Sequence, residues 1–147
     1  MTTARGSEGH RVLLVEDDLI DRELAKRQLE MSDLVASVAC AEHGQQALDQ
    51  IDQDLRDGRG APDWVVLDLN MPIMGGKRFL ESALQIMPPE VAPQVLVLSG
   101  STSDPGRLEV LVHPWVVDYI VKPLLLRDVR RVLMTPRSDS AHSRLRR

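Results

Sequence analysis

The chain has little of what secreted, membrane-spanning or nucleic-acid-binding proteins need. Its 147 residues include one cysteine, Cys40, so no internal disulfide can form, and a buried apolar role is expected for this side chain. No apolar stretch approaches the roughly 20 residues of a membrane span, and the polar start of the chain lacks the apolar core of a signal peptide. The formal net charge of -4 provides no broad basic surface for nucleic acid. These absences favour a soluble, cytoplasmic protein with no direct nucleic-acid or membrane partner.

Aromatic residues are also scarce, at 3% of the chain, so aliphatic side chains must fill the core. The length is typical of one domain. Composition predicts three parts: a flexible N-terminal lead-in over residues 1–10, a folded domain over 11–134, and a disordered basic tail over 135–147 that is rich in serine and arginine.

Short runs of Val and Leu alternate with amphipathic segments along the folded part. The runs fall at residues 12–15, 34–40, 64–67, 95–98 and 116–121. Strands of this kind are typical of a parallel sheet that is buried on both faces. The first intervening segment places four apolar residues on one helical face, Ile20, Leu24, Ala25 and Leu29. The pattern therefore predicts an α/β fold, a doubly wound five-stranded parallel sheet with helices on both faces.

Polar residues stand where the predicted strands end. Glu16, Asp17 and Asp18 follow the first strand, Asp68 ends the third, Ser99 ends the fourth, and Lys122 follows the fifth. Parallel strands place their carboxyl ends along one edge of the sheet, and in the strand order 2-1-3-4-5 the first and third strands are neighbours. These side chains are therefore expected to meet in one crevice, although Asp17 and Asp18 taken alone could begin a helix, where acids are favoured.

The predicted cluster is suited to a divalent cation and a phosphoryl group. The carboxylate of Asp68 can act as a nucleophile toward phosphorus and form an acyl phosphate. Because two anions repel, this reaction needs a hard cation such as Mg²⁺, held by oxygens of Asp17, Asp68 and the backbone carbonyl of Asn70. Lys122 and the Ser99 hydroxyl would then contact phosphoryl oxygens.

The motifs resemble those of the response-regulator receiver domain, the CheY-like module of two-component signalling, in its stand-alone form. The matching pieces are residues 13–18 (LLVEDD), 66–72 (VLDLNMP), 97–100 (VLSG) and 119–123 (YIVKP). Together they extend over nearly the whole chain in the order and spacing of that family. The resemblance implies a flavodoxin-like sheet in the order 2-1-3-4-5, which the family is known for.

The resemblance also assigns roles to individual residues. Asp68 corresponds to the phospho-acceptor. Glu16 and Asp17 correspond to the metal-binding acidic pair, with Asp17 a direct ligand and the longer Glu16 reaching the ion directly or through a water. Mg²⁺ is the implied ion, and Mn²⁺ or Ca²⁺ could substitute for it.

Three further residues correspond to the switch elements of the family. Ser99 corresponds to the switch hydroxyl, Tyr119 to the rotating aromatic and Lys122 to the phosphate-sensing lysine. Tyr119 could also be an ordinary core aromatic. The Lys122–Pro123 bond is commonly cis in the family, which implies the same here.

The leading hypothesis is a single-domain response regulator, not an enzyme in its own right. A sensor histidine kinase would donate a phosphoryl group to Asp68, and the change would act on a downstream protein or pass to a phosphotransfer protein. A homodimer through the fourth helix, fifth strand and fifth helix is a further expectation.

Two alternatives stay open from the sequence. The chain could be a receiver-fold interaction module that works without phosphorylation. It could also be a phosphatase with an aspartyl nucleophile, although haloacid-dehalogenase-like enzymes need a second aspartate where this chain has Asn70.

Overall fold

Strands and helices alternate along the residues that the computed structural model describes, which are 9–71, 73–101 and 106–135. The strands are β1 (His10–Val15), β2 (Val35–Ala41), β3 (Trp64–Asp68), β4 (Gln94–Ser99) and β5 (Val116–Val121). The helices are α1 (Leu19–Glu30), α2 (Gly44–Arg56), α3 (Gly76–Ile86), α4 (Arg107–Leu111) and α5 (Leu126–Leu133), with a short 3₁₀ turn at Pro89–Val91.

The five strands form one parallel sheet in the order β2-β1-β3-β4-β5, which confirms the predicted fold class and strand order. Val15 of β1 pairs with Leu67 of β3, and Ser99 of β4 pairs with Val121 of β5. This register brings the residues that follow β1, β3 and β5 to the same edge of the sheet.

Two apolar cores cover the two faces of the sheet. Side chains alternate between the faces along β1, so that Leu13 and Val15 enter one core while Val12 and Leu14 enter the other. The first core is closed by buried side chains of α2, α3 and α4, and the second by α1 and α5. The central strands β3 and β4 and most of β1 are buried on both faces, which explains their continuous apolar runs, whereas the edge strand β2 has exposed residues.

Helix α1 departs from its predicted apolar face. Ala25 and Leu29 are buried, whereas Ile20 and Leu24 are 69% and 51% exposed. Ala25 and Leu29 lie on the face of the helix that packs against the sheet. Because consecutive residues lie about 100° apart around the helix axis, Ile20 and Leu24 lie on a neighbouring face that is turned away from the sheet. The buried face of α1 is therefore narrower than the sequence pattern suggested.

Several other predictions concern smaller features. Cys40 is half-buried and packs against the second core, and burial raises the pKa of its thiol. The lead-in at residues 1–8 and the tail from residue 136 lie outside the described residues. In the described part of the chain, no helix is long and apolar enough to cross a membrane.

Candidate functional site at the carboxyl edge of the sheet

The central side chains of the site follow or end the neighbouring strands β1, β3, β4 and β5. Glu16 and Asp17 come directly after β1, Asp68 is the last residue of β3, and Lys122 follows β5. Ser99 ends β4 between them, and its carbonyl accepts a hydrogen bond from the Lys122 amide nitrogen at 2.7 Å. The topology thus gathers residues that are more than 100 positions apart in the chain.

Three carboxylates form a compact acidic cluster. One oxygen each from Glu16, Asp17 and Asp68 lies within 4.8 Å of the others. Glu16 and Asp68 are 1% and 4% exposed, whereas Asp17 is exposed at the mouth of the crevice. Hard oxygen donors at this spacing fit a small divalent cation such as Mg²⁺.

The ammonium group of Lys122 lies among these carboxylates. Its Nζ is 2.7 Å from Glu16 Oε1 and 3.5 Å from Asp68 Oδ1. A third carboxylate, that of Asp21, is 3.1 Å away. One cation is therefore shared by three acids, two of which are almost fully buried.

The crowding of charge changes the acidity of the groups. Burial, a hydrogen bond with Glu16 and the charge of Glu16 raise the pKa of Asp68 to about 8, although Lys122 and the Asn70 backbone oppose the rise. Burial alone would lower the pKa of Lys122, but its pairs with Glu16, Asp68 and Asp21 raise it above the ordinary lysine value. Without an added cation, Asp68 therefore holds a proton near neutral pH.

The backbone around Asp68 fixes the direction of its carboxylate. The amide nitrogen of Asn70 lies 3.4 Å from Asp68 Oδ1, and the amide of Gly76 donates to the Leu69 carbonyl at 2.8 Å. A Cβ on Gly76 would lie 3.1 Å from the Leu69 Cα, so glycine permits this close approach of α3 to the loop. The Asn70 carbonyl as a metal ligand stays a prediction.

Ser99 and Tyr119 meet through the backbone of Ser101. The Ser99 side chain is buried, and its hydroxyl donates to the Ser101 carbonyl at 3.2 Å. The Tyr119 hydroxyl donates to the same carbonyl at 2.8 Å, and the Arg107 guanidinium lies 5.2 Å from the centre of the Tyr119 ring. The two predicted switch residues are thus joined to one backbone group.

Sequence reasoning missed two contacts at the start of α1. It gave no role to Asp21 or Arg22, but Asp21 pairs with Lys122, and the Arg22 guanidinium donates to the Glu16 carbonyl at 2.9 Å. Asp18, a possible helix start from the sequence, is the N-cap of α1, and its side chain accepts a hydrogen bond from the Asp21 amide. The sequence did contain a signal for these contacts, because Asp21 and Arg22 lie in the first turn of a helix that begins directly after a strand end. The Lys122–Pro123 peptide bond is cis, as expected.

Comparisons with known proteins agree with this architecture. The family model of the response regulator receiver domain matches residues 12–134. Among curated proteins, the two-component response regulator ORR1 of Oryza sativa is 32% identical over 124 residues, covering 83% of this chain and 53% of the relative. A protein-glutamate methylesterase/protein-glutamine glutaminase of Azospirillum brasilense is 30% identical over 131 residues, covering 87% of this chain and 30% of the relative. The chain thus spans about half or less of the length of these relatives.

A solved structure with the same fold is the phosphorylated cyanobacterial phytochrome response regulator RcpA. It is 26% identical, has a TM-score of 0.65, and the match covers 85% of this chain and 89% of that one. The matched family model, the strand order and the edge to which the acidic and basic side chains converge lead to one assignment. The chain belongs to the response regulator receiver domain family of two-component systems.

Proposed function

We propose that this receiver domain accepts a phosphoryl group on Asp68 from a sensor histidine kinase. The observation that carries the proposal is the position of the Asp68 carboxylate, buried at the crevice, 3.5 Å from the Lys122 ammonium and grouped with Glu16 and Asp17. A nucleophile, a cation for the phosphoryl oxygens and a set of metal ligands are then in one place. Cytoplasmic location is part of this proposal.

The reaction is a transfer between two nucleophiles. An oxygen of ionised Asp68 attacks the phosphorus of a phosphohistidine, the P–N bond breaks, and its electron pair stays on the imidazole nitrogen. Asp68 must be ionised to attack, yet its pKa is raised to about 8. Glu16 and Asp17, with Asp68, would hold Mg²⁺, which supplies positive charge that favours the ionised carboxylate and the incoming phosphoryl group. The Lys122 ammonium, 3.5 Å from Asp68 Oδ1, contributes a second positive charge.

The new phosphoryl group would then act on the switch residues. Its oxygens can accept hydrogen bonds from Lys122 and from the Ser99 hydroxyl, each worth about 1.5 to 3 kcal/mol. Shifting a two-state equilibrium from 1:99 to 99:1 takes roughly 5.5 kcal/mol, which two or three such bonds approach. Since the Ser99 and Tyr119 hydroxyls both donate to the Ser101 carbonyl, a movement of Ser99 would change the hydrogen bonding of Tyr119.

The output surface in this proposal is formed by α4, β5 and α5. Large apolar side chains on or beside these elements are exposed, and they include Leu108, Val112, Val121 and Met134. Such side chains favour protein contacts over a solvated face. A downstream protein, a phosphotransfer protein or a second copy of the chain would bind there. The phosphorylated state of the related RcpA supports chemistry at this kind of site.

The two alternatives are less well supported. A haloacid-dehalogenase-like phosphatase needs a general acid two residues after the nucleophile, and Asn70 cannot supply one. An interaction module without phosphorylation has no need for a shared ammonium among buried carboxylates, which is costly unless it serves a ligand.

Phosphorylation can be tested by incubating the protein with acetyl phosphate and Mg²⁺ and measuring the intact mass. We expect one phosphoryl adduct in the wild type, lost on treatment with hydroxylamine and absent in Asp68→Asn or in EDTA. Asp49→Asn, an exposed aspartate of α2, is the matched control and should be labelled like the wild type. A wild type without adduct would favour the interaction module, and turnover of phosphomonoesters lost in Asp68→Asn would favour the phosphatase.

A further inference from the structure

Asp21 is a fourth acid beside the site, and the family resemblance gives it no role. Its Oδ2 lies 3.1 Å from Lys122 Nζ, closer than the 3.5 Å between that nitrogen and Asp68. The Asp21 side chain is 42% exposed, whereas those of Glu16 and Asp68 are almost fully buried. Lys122 is therefore bound from the solvent side by a residue of α1.

The position of Asp21 is fixed by the start of α1. Its amide nitrogen donates to the Asp18 carboxylate at 2.8 Å, which caps the helix. The next residue, Arg22, ties the same turn to β1 through the Glu16 carbonyl. These bonds fix the backbone of the first turn of α1, from which the short Asp21 side chain reaches Lys122.

A cavity of about 200 Å³ opens between α1 and the segment after β5. The charged side chains that line it are Glu16, Asp21 and Lys122, and the rest of its lining is apolar, with Leu24, Leu98 and Leu124. The lysine side chain thus has space to move, but the acceptors that this cavity offers its ammonium are the two carboxylates.

We propose that Asp21 is a positioning residue that competes with the phosphoryl group for the Lys122 ammonium. The inference rests on the proposed phosphorylation of Asp68. Glu16 belongs to the proposed metal-binding set, so its charge is compensated in the phosphorylated state. Asp21 is outside that set and continues to attract Lys122. Asp21 therefore weakens the hold of the site on a phosphoryl group and favours the unphosphorylated state.

The competition predicts a gain of affinity when the charge of Asp21 is removed. Asn at this position keeps the size of the side chain and the backbone bond to the Asp18 cap. The probe is beryllofluoride, a tetrahedral mimic of the acyl phosphate, titrated at saturating Mg²⁺ and observed by ¹⁹F NMR. Asp21→Asn should bind it about two- to fivefold more tightly than the wild type, the range expected of a partly exposed ion pair.

Two further variants separate competition from other effects. Glu23→Gln removes one negative charge from an exposed position of the same helix and should leave the affinity unchanged. In a Lys122→Gln background, Asp21→Asn should bring little or no gain, because the competition passes through the ammonium. A merely structural role of Asp21 would not produce this dependence on Lys122.

Three results of these binding experiments would overturn the inference. Equal affinity in the wild type and Asp21→Asn would overturn the inference and leave the proposed function standing. An undiminished gain in the Lys122→Gln background would overturn it too, because the effect would then be direct repulsion. If the wild type took up neither beryllofluoride nor the phosphoryl group of acetyl phosphate, the proposed function and this inference would both fall.

Discussion

The two edges of the sheet both carry groups of charged side chains, but the groups differ in balance and burial. At the amino edge, Arg11 at the start of β1 pairs with Asp54, and Arg59 pairs with Asp54 and Asp57. The Arg11 guanidinium also donates to the Arg59 carbonyl at 2.9 Å, and the Asp63 carboxylate accepts from the Arg11 amide. The side chains in these ion pairs are 26% to 58% exposed.

At the carboxyl edge, one ammonium serves several acids. Lys122 pairs with Glu16, Asp21 and Asp68, and Asp17 adds a further carboxylate. The Glu16 and Asp68 side chains are 1% and 6% exposed, so water screens their charges poorly. The charges at the amino edge are nearly balanced and partly solvated, so a structural role, joining a loop to β1, is sufficient to explain them. A buried excess of negative charge is unfavourable for folding and indicates a site for a cation.

The largest expected effect is a gain of stability when Asp68 is replaced by Asn. With burial and Glu16 raising the pKa of Asp68 to about 8, the folded protein binds its proton more tightly than the unfolded chain does. An unfolded aspartate titrates at about pH 3.9. The free energy of unfolding of the metal-free wild type therefore falls as the pH rises from about 4 to about 8. At about 1.4 kcal/mol per pKa unit over the roughly three units between pH 3.9 and pH 7, Asp68→Asn should be more stable by on the order of 4 kcal/mol at pH 7.

Urea unfolding in EDTA between pH 5 and pH 8 measures this effect. The difference between Asp68→Asn and the wild type should grow with pH. His113, whose pKa is lowered mainly by burial, titrates alike in both proteins and cancels in that difference. Mg²⁺ should stabilise the wild type and leave the variant unchanged. A constant difference across this range, or a less stable variant, would contradict the account of the carboxyl edge.

A smaller effect of opposite sign is expected at the amino edge. Arg11→Met keeps the aliphatic stem but removes the bond to the Arg59 carbonyl and the pair with Asp54. The loss of these half-buried contacts should lower the free energy of unfolding by about 1 kcal/mol. Urea midpoints should fall equally in Mg²⁺ and in EDTA, and labelling by acetyl phosphate should match the wild type. A loss that depended on Mg²⁺ would mean that the two edges are coupled.

The centre of the sheet was predictable because strands β3 and β4 are buried on both faces. Val65, Val66 and Leu67 are fully buried, so the sequence there is continuously apolar and admits little else. Helix α1 was less predictable because its apolar residues cover more of the helix surface than the sheet buries. Its rotation is decided by the packing of Ala25 and Leu29, and that packing turns Leu24 to the solvent.

The same distinction applies to the site. Glu16, Asp68 and Lys122 were placed by the rule that parallel strands end at one edge, and the structure brings these three side chains together. Asp21 escaped the rule because it lies inside a helix. Its contact with Lys122 depends on the Asp18 cap and on the Arg22 bond, which are side-chain details that a hydrophobic pattern does not encode.

The smallest effect on stability is expected for Arg59→Gln. This variant tests whether burial or interatomic distance causes the ion pairs of the two edges to differ in their contribution to stability. Arg59 lies 2.9 Å from Asp54 and 3.0 Å from Asp57, distances close to those between Lys122 and its partners. Its side chain is 58% exposed, however, and solvent and salt screen such pairs. The urea midpoint of Arg59→Gln should match that of the wild type at low and high salt. A loss as large as that of Arg11→Met would show that short distances alone stabilise an ion pair here, and the contrast between the edges would then need a cause other than burial.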